Sequence, residues 1–228
     1  MYIMDKLVLH DENNEVFVIT PKYLFNAALT GRDEKKVKEY IENLKKQGGN
    51  PSKEAPTFLK KSPYLIDTNE KLFVLDKNNS VEAEVVIIIN EDNEIYITCG
   101  IDVFDKEIQL IETLKSKHIY PNHISSYVWK YELCKQHWDE IILRSWIGSN
   151  DKRLYQETKL SYFLSPESIL KKIRNKYGNN IIKEPFILFC GTCPYKIDGL
   201  PWIETFYVEL IDEHLKRTIT CRMKQEIL

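Results

Sequence analysis

Along this chain hydrophobic residues recur at every second position, or in unbroken β-branched runs, more often than at helical spacing. KLVLH (6–10) and EVFVIT (15–20) flank the polar turn Asp11-Glu12-Asn13-Asn14 and read as a hairpin. A helix is expected from about Asp33 to Gln47, with Val37, Tyr40, Ile41 and Leu44 as its apolar stripe. Thr30 with Asp33 would start it, and Gly48-Gly49 would end it. Three prolines between Asn50 and Pro63 make that stretch an extended crossing segment. Strands follow at about 71–75, 81–89 and 94–99, then a helix from Asp105 to Leu114 that turns Ile108, Ile111 and Leu114 inward, and a second from Ser125 to Trp138. Strands resume at 141–147 and 153–156 across the turn Gly148-Ser149-Asn150-Asp151. Ser165-Pro166-Glu167 opens a helix with Ile169, Leu170, Ile173 and Tyr177 as its stripe and Gly178 past its end. The chain closes with strands at 186–189, 203–210 and 217–227. Helices are few, short and irregularly spaced among strands. This is an α+β, mostly β pattern rather than a doubly wound parallel sheet.

Length and composition narrow the setting. The 228 residues suit one generous domain, divided here into an N-terminal hairpin and helix (1–50) packed on a core domain (51–228). The formal net charge is −2 and the basic residues are dispersed, which gives no electrostatic case for nucleic acid. The start MYIMDKLVLH has a Lys and an Asp where a leader needs an apolar run, and no segment reaches the ~20 apolar residues of a membrane span. A soluble cytoplasmic protein is the expectation. Five cysteines (Cys99, Cys134, Cys190, Cys193 and Cys221), odd in number, are read as reduced thiols.

The candidate chemistry lies in the middle of the chain. On the strand VEAEVVIII, Glu82 and Glu84 are two apart and project from the same face. Close carboxylates repel, and a divalent cation relieves the repulsion. Asp102, in the loop expected after the next strand, is the third oxygen donor of a site suited to Mg²⁺, Mn²⁺ or Ca²⁺. The alternative is that both glutamates face solvent on a half-buried strand. On the following helix Lys106 and Gln109 share a face and Lys115 falls at the end, giving cations and an amide for a developing oxyanion, or a merely solvated helix. Cys190-Gly-Thr-Cys193 lacks the helix N-terminus of a redox motif and the further spaced ligands of a zinc site. Tyr127, Trp129, Tyr131 and Trp138 read as core or interface.

The order of these segments resembles the fumarylacetoacetate hydrolase superfamily. Glu82 and Glu84 match its Glu-x-Glu, Asp102 in GIDVFDKEIQ its third metal ligand, Gln109 its Gln, and Lys115 in LKSK its Lys. FCGTCP looks like its Thr-Gly-Thr-Pro turn, with Gly191 and Thr192 carried over as substrate-binding residues. HWDEIILRSWI, RLYQET, LFCGTCP and the segment from LTGRDEKK to KKSPYLI look closer still to an uncharacterised bacterial branch. The resemblance implies a mixed β-roll, a homodimer, and Mg²⁺ or Mn²⁺ held by Glu82, Glu84 and Asp102. It also implies a small 2-keto or 1,3-dicarbonyl acid cleaved through a metal-bound enolate, with Lys115, Gln109 and Lys106 as catalytic residues. C–C bond hydrolysis comes first; decarboxylation, isomerisation or hydration on the same scaffold, or non-catalytic keto-acid binding, are the alternatives. Three departures stand out. Lys106 replaces an Arg and loses its bidentate reach. The spacing from the Glu pair to Asp102 is short. The family's water-activating His–Glu pair has no evident counterpart among His10, His118, His123 and His137.

Overall fold

One sheet with a different chemistry on each face organises the molecule. The computed structural model describes residues 6–46, 52 and 54–228. Strands β1 (Leu7–His10) and β2 (Val16–Ile19) form a separate hairpin whose turn is held by the Asp11 carboxylate, which accepts from the amides of Asn13 and Glu15. β3 (Tyr23–Ala28) precedes α1 (Glu34–Lys46). Asp33 caps that helix through the amides of Lys35 and Lys36, whereas Thr30 donates instead to the carbonyl of Cys190. The expected end at Gly48-Gly49 lies outside the described residues. β4 (Thr57–Lys61), β5 (Ile66–Asp67), β6 (Lys71–Val74), β7 (Asn79–Ile89) and β8 (Ile95–Asp105) follow, then α2 (Lys106–Ile111) and α3 (Thr113–His118). Next come β9 (Asn122–Ile124), β10 (Trp129–Lys130), α4 (Tyr131–Cys134), β11 (Ile142–Ile147), β12 (Arg153–Lys159), α5 (Pro166–Tyr177), β13 (Phe186–Thr192), β14 (Thr205–Asp212) and β15 (Arg217–Ile227).

The main sheet runs β4-β3-β13-β7-β8-β9-β5, with β10 added beside β8, and a second sheet runs β12-β11-β14-β15-β6. β3 therefore sits inside the main sheet, parallel to β13. The odd residues of β7 (Val81, Ala83, Val85, Ile87 and Ile89) join the large core that holds Leu143, Val208, Leu210, Ile219 and Met223 of the second sheet. The even residues Val86 and Ile88 join a smaller cluster with Leu24, Ile124, Ile187 and Phe189, covered by Leu7, Leu9 and Ile19 of the hairpin. Period-two alternation on a two-sided strand produces this division.

Four expectations change. The segment Asn50 to Pro63 contains the strand β4, paired antiparallel with β3. β8 continues through Gly100 to Asp105, so Asp102 is on a strand, not in a loop. The helix expected from 105 to 114 breaks at Glu112 (φ −152°), whose carboxylate accepts from the Leu114 amide and starts α3, leaving Leu110 and Ile111 almost fully exposed. The helix expected from 125 to 138 is instead β10, α4 and a 3-10 segment, because Trp129 pairs with Ile97 and His137 has non-helical backbone angles. Trp129, Tyr131 and Trp138 are core, while Tyr127 is half exposed. Among the described residues no helix is long and apolar enough to cross a membrane.

Candidate functional site

β7 and β8 pair antiparallel in unbroken register, so Glu82 lies opposite Asp102 and Glu84 opposite Gly100. All three carboxylates thus share the face that carries the smaller cluster. One oxygen from each lies within 4.8 Å of the others. Asp102 is fully buried and Glu84 is 2% exposed. Position 100 admits only glycine, because a Cβ there would meet the Phe189 ring at 2.7 Å and the His123 carbonyl oxygen at 2.8 Å.

The end of β13 shapes the third side. Phe189 faces Val86 and Thr192 faces Glu84, so three steps on β13 oppose two on β7 and one residue bulges out. Gly191, at φ +90°, takes the strain and turns its N–H out of the ladder to the Glu84 carboxylate at 2.6 Å. The Thr192 hydroxyl donates to the Ala83 carbonyl (3.0 Å) and accepts from the Gln156 amide (2.6 Å). Gln156 is fully buried; it also accepts from the Ala83 amide at 2.9 Å and donates to the Cys193 carbonyl at 2.7 Å. It ties the second sheet to the site.

Lys117, from the last turn of α3, reaches into the carboxylates. Its ammonium donates to Asp102 and, at 3.1 Å, to Glu82, and it lies 5.2 Å from the centre of the Phe104 ring. Burial works against the charge on Lys117, but Asp102, Glu82 and Glu84 outweigh it and hold the ammonium above the ordinary lysine range. Burial, and next the Asp102 carboxylate, push the Glu84 carboxyl well above its ordinary value. The second oxygen of Glu82 accepts from the Tyr195 hydroxyl at 2.9 Å, and burial and then Glu82 raise that phenol. The other Asp102 oxygen, Oδ1, is buried without a hydrogen-bond partner among the described residues. A buried orphan acceptor beside two more carboxylates fits a hard divalent cation bound through oxygen.

A second polar group lies on the same face. Lys61, 4% exposed, donates to Asn122 Oδ1 at 2.5 Å, and Asn122 Nδ2 donates to Asn26 Oδ1 at 3.1 Å. Lys61 is opposite Leu24 and Asn26 opposite Phe189, both on the face of the smaller cluster. Burial draws the Lys61 amine down to about 8, while Asp102 pulls in the other direction.

The structure brings Glu82, Glu84, Asp102 and Gly191 together. It places Lys115 on the exposed side of α3 and Lys117 in the site. Gln109 accepts from the Ser116 hydroxyl at 2.7 Å and so joins α2 to α3, and Lys106 donates to the Leu200 carbonyl at 3.2 Å. Lys117, Tyr195, Lys61, Asn26 and Asn122 are the site neighbours that sequence reasoning missed. In Lys115-Ser116-Lys117 the two lysines are not distinguishable by composition; only the break at Glu112, which rotates α3, selects the second. The Cys190 and Cys193 thiols are buried, and burial pushes both up, the latter to about 12.

A similar fold is found in solved structures of low sequence identity. A structure of 2-keto-3-deoxyarabinonate dehydratase superposes with TM-score 0.65 at 12% identity over 94% of this chain and 78% of that one. Another structure of this dehydratase contains magnesium and 2,5-dioxopentanoate. An Escherichia coli protein described as a putative isomerase matches with TM-score 0.61 at 12% identity over 97% of this chain and 100% of its own. A 4-oxalocrotonate decarboxylase from Pseudomonas putida G7, complexed with magnesium and adipate, gives 0.54 at 10% identity over 90% and 77%. At such identities the likeness establishes the fold, which is of the fumarylacetoacetate hydrolase type. No curated protein matches the sequence. Residues 27–223 match a family described only as a protein of unknown function, and this chain therefore belongs to that family, DUF2848.

Proposed function

We propose that the protein is a divalent-metal-dependent enzyme that forms and discharges the enolate of a small 2-oxo acid, in a lyase-type reaction such as dehydration or decarboxylation. The observation that carries this reading is the Lys117 ammonium set among three carboxylates, one of which keeps a buried oxygen without a partner. Glu82, Glu84 and Asp102 would hold Mg²⁺, which supplies Lewis acidity toward the 2-oxo oxygen. Tyr195 fixes the Glu82 carboxylate and the Gly191 amide fixes that of Glu84, so the donors are oriented in advance. With Glu82, Glu84 and Asp102 holding a cation, the N–H groups of Lys117 would be free to donate to the oxygen on which charge develops.

The groups bonded to the carboxylates are an ammonium, a phenol and a backbone amide. Among the described residues no histidine is hydrogen-bonded to them, and a lyase-type reaction, which needs no activated water, is the simpler reading. The magnesium-containing dehydratase and decarboxylase of the same fold support this choice of class.

Exchange of the C3 protons of 2-oxobutanoate in D₂O, with the buffer as the acceptor of the C3 proton, followed by NMR with protein and Mg²⁺, tests the reading. Exchange is expected in the wild type and is lost in Glu84→Gln and Lys117→Met. Absence of exchange and of Mg²⁺ binding in the wild type would refute the proposal. Release of acetate from 2,4-dioxopentanoate would instead establish hydrolysis.

A further inference from the structure

Lys61 and Asn26 hold hydrogen-bonding capacity that no other described residue uses. The Lys61 ammonium has Asn122 as its hydrogen-bond partner and no carboxylate within ion-pair distance among the described residues, although it is 4% exposed. Lysines buried this deeply are ordinarily paired with an anion. The direction of the network follows from chemistry. A lysine can only donate, so Asn122 must present its oxygen to Lys61 and its amide nitrogen to Asn26, which must in turn present an oxygen. Asn26 Nδ2 is then a donor at the end of this network; it is buried, without a partner among the described residues, on a residue 2% exposed. Both ends of the network therefore offer N–H groups.

Their position relates them to the carboxylates. Asn26 pairs with Phe189, two residues before the Gly191 amide that holds Glu84. Gly100 pairs with Ile124 in the antiparallel ladder, which sets Asn122 opposite Asp102. Three carboxylates, the two ammonium groups of Lys117 and Lys61, and one divalent cation leave a single positive charge, which an anion would neutralise.

We propose that Lys61 and Asn26 form a donor subsite for the carboxylate of the 2-oxo acid, so that the acid is held at this end while its 2-oxo oxygen faces Lys117. This deepens the proposed function and rests on it. A buried water shared by the two donors is the competing occupant.

Calorimetry with Mg²⁺, followed by pyruvate added to the Mg²⁺-loaded protein, decides between them. Wild type is expected to bind both. Lys61→Met is expected to bind Mg²⁺ at least as tightly as the wild type, because the charge removed repels the cation, and to bind pyruvate about tenfold more weakly or worse. Asn26→Asp, nearly the same in shape, replaces the terminal donor with an acceptor and is expected to lose pyruvate similarly. Cooperative melting establishes that each variant is folded. Mg²⁺ binding with wild-type pyruvate affinity in both variants would assign the donors to water and overturn the subsite alone, as would a wild type that takes Mg²⁺ but not millimolar pyruvate. A wild type that binds no Mg²⁺ would overturn the metal reading and this inference with it.

Discussion

Replacing Lys117 with methionine separates two roles of the ammonium that are superimposed in the wild type. Without bound metal, Lys117 is the counter-charge for Asp102 and Glu82, and its side chain is 9% exposed. Removing one partner of a buried ion pair costs about 3–5 kcal/mol, because the remaining charge is left in a poorly solvating environment. In a chain of this size each kcal/mol lowers the melting temperature by about 2–4 °C. Metal-stripped Lys117→Met should therefore melt about 6–20 °C below the wild type at neutral pH. Added Mg²⁺ should reverse the order of response. The variant's carboxylates lack competition from an ammonium, so its affinity should rise, by about tenfold for each 1.4 kcal/mol of repulsion removed, and its thermal gain should exceed that of the wild type. Differential scanning calorimetry across a Mg²⁺ titration reads both effects. An unchanged melting temperature without metal, or a Mg²⁺ gain smaller than that of the wild type, would show that Lys117 does not neutralise the carboxylates.

Three further predictions are independent of that one. In the metal-free protein burial holds the Glu84 carboxyl above its ordinary value of 4.5, so the native state keeps a proton that the unfolded chain has released. The stability from this group should be complete below pH 4.5 and be lost as pH rises through the folded-state value, and saturating Mg²⁺ should suppress that loss in pH-dependent urea unfolding. Gly191→Ala would place a Cβ 2.6 Å from Thr30 Oγ1 at a backbone φ of +90°, and chemical denaturation should show a loss of about 1–3 kcal/mol together with weaker Mg²⁺ binding. Lys115→Ala, at an exposed position, should leave Mg²⁺ affinity within twofold of the wild type (about 0.4 kcal/mol) in calorimetry, in contrast to Lys117→Met.

The parts of the fold legible in the sequence are those where one local signal dominates. The hairpin around Asp11, the helix opened by Ser165-Pro166 and the strand 217–227 lie where periodicity and turn chemistry place them, since caps, turns and alternation act over a few residues. The stretch 125–138 has helix-compatible spacing, yet tertiary pairing of Trp129 with Ile97 takes it into the sheet edge. The carboxylates at 82, 84 and 102 were legible because two sit two apart on a β-branched run and the third follows a single turn. Lys61, Asn26, Asn122 and Tyr195 were not. Each comes from a different strand or loop, and their convergence depends on the order β4-β3-β13-β7-β8-β9, which no local pattern encodes.

The alternation along β7 has a consequence for how the gene can drift. With Glu82, Glu84, Val86 and Ile88 on one face and Val81 to Ile89 in odd steps on the other, the strand separates the three carboxylates and the smaller cluster from the large hydrocarbon core. Deleting or inserting one codon inside it would exchange the two faces beyond that point, driving glutamates into the large core and valines among the carboxylates. The turn Asn90–Glu94 just beyond it, mostly exposed, can absorb a length change without moving any carboxylate. Length variation among relatives should accordingly collect at 90–94 and be missing from 81–89.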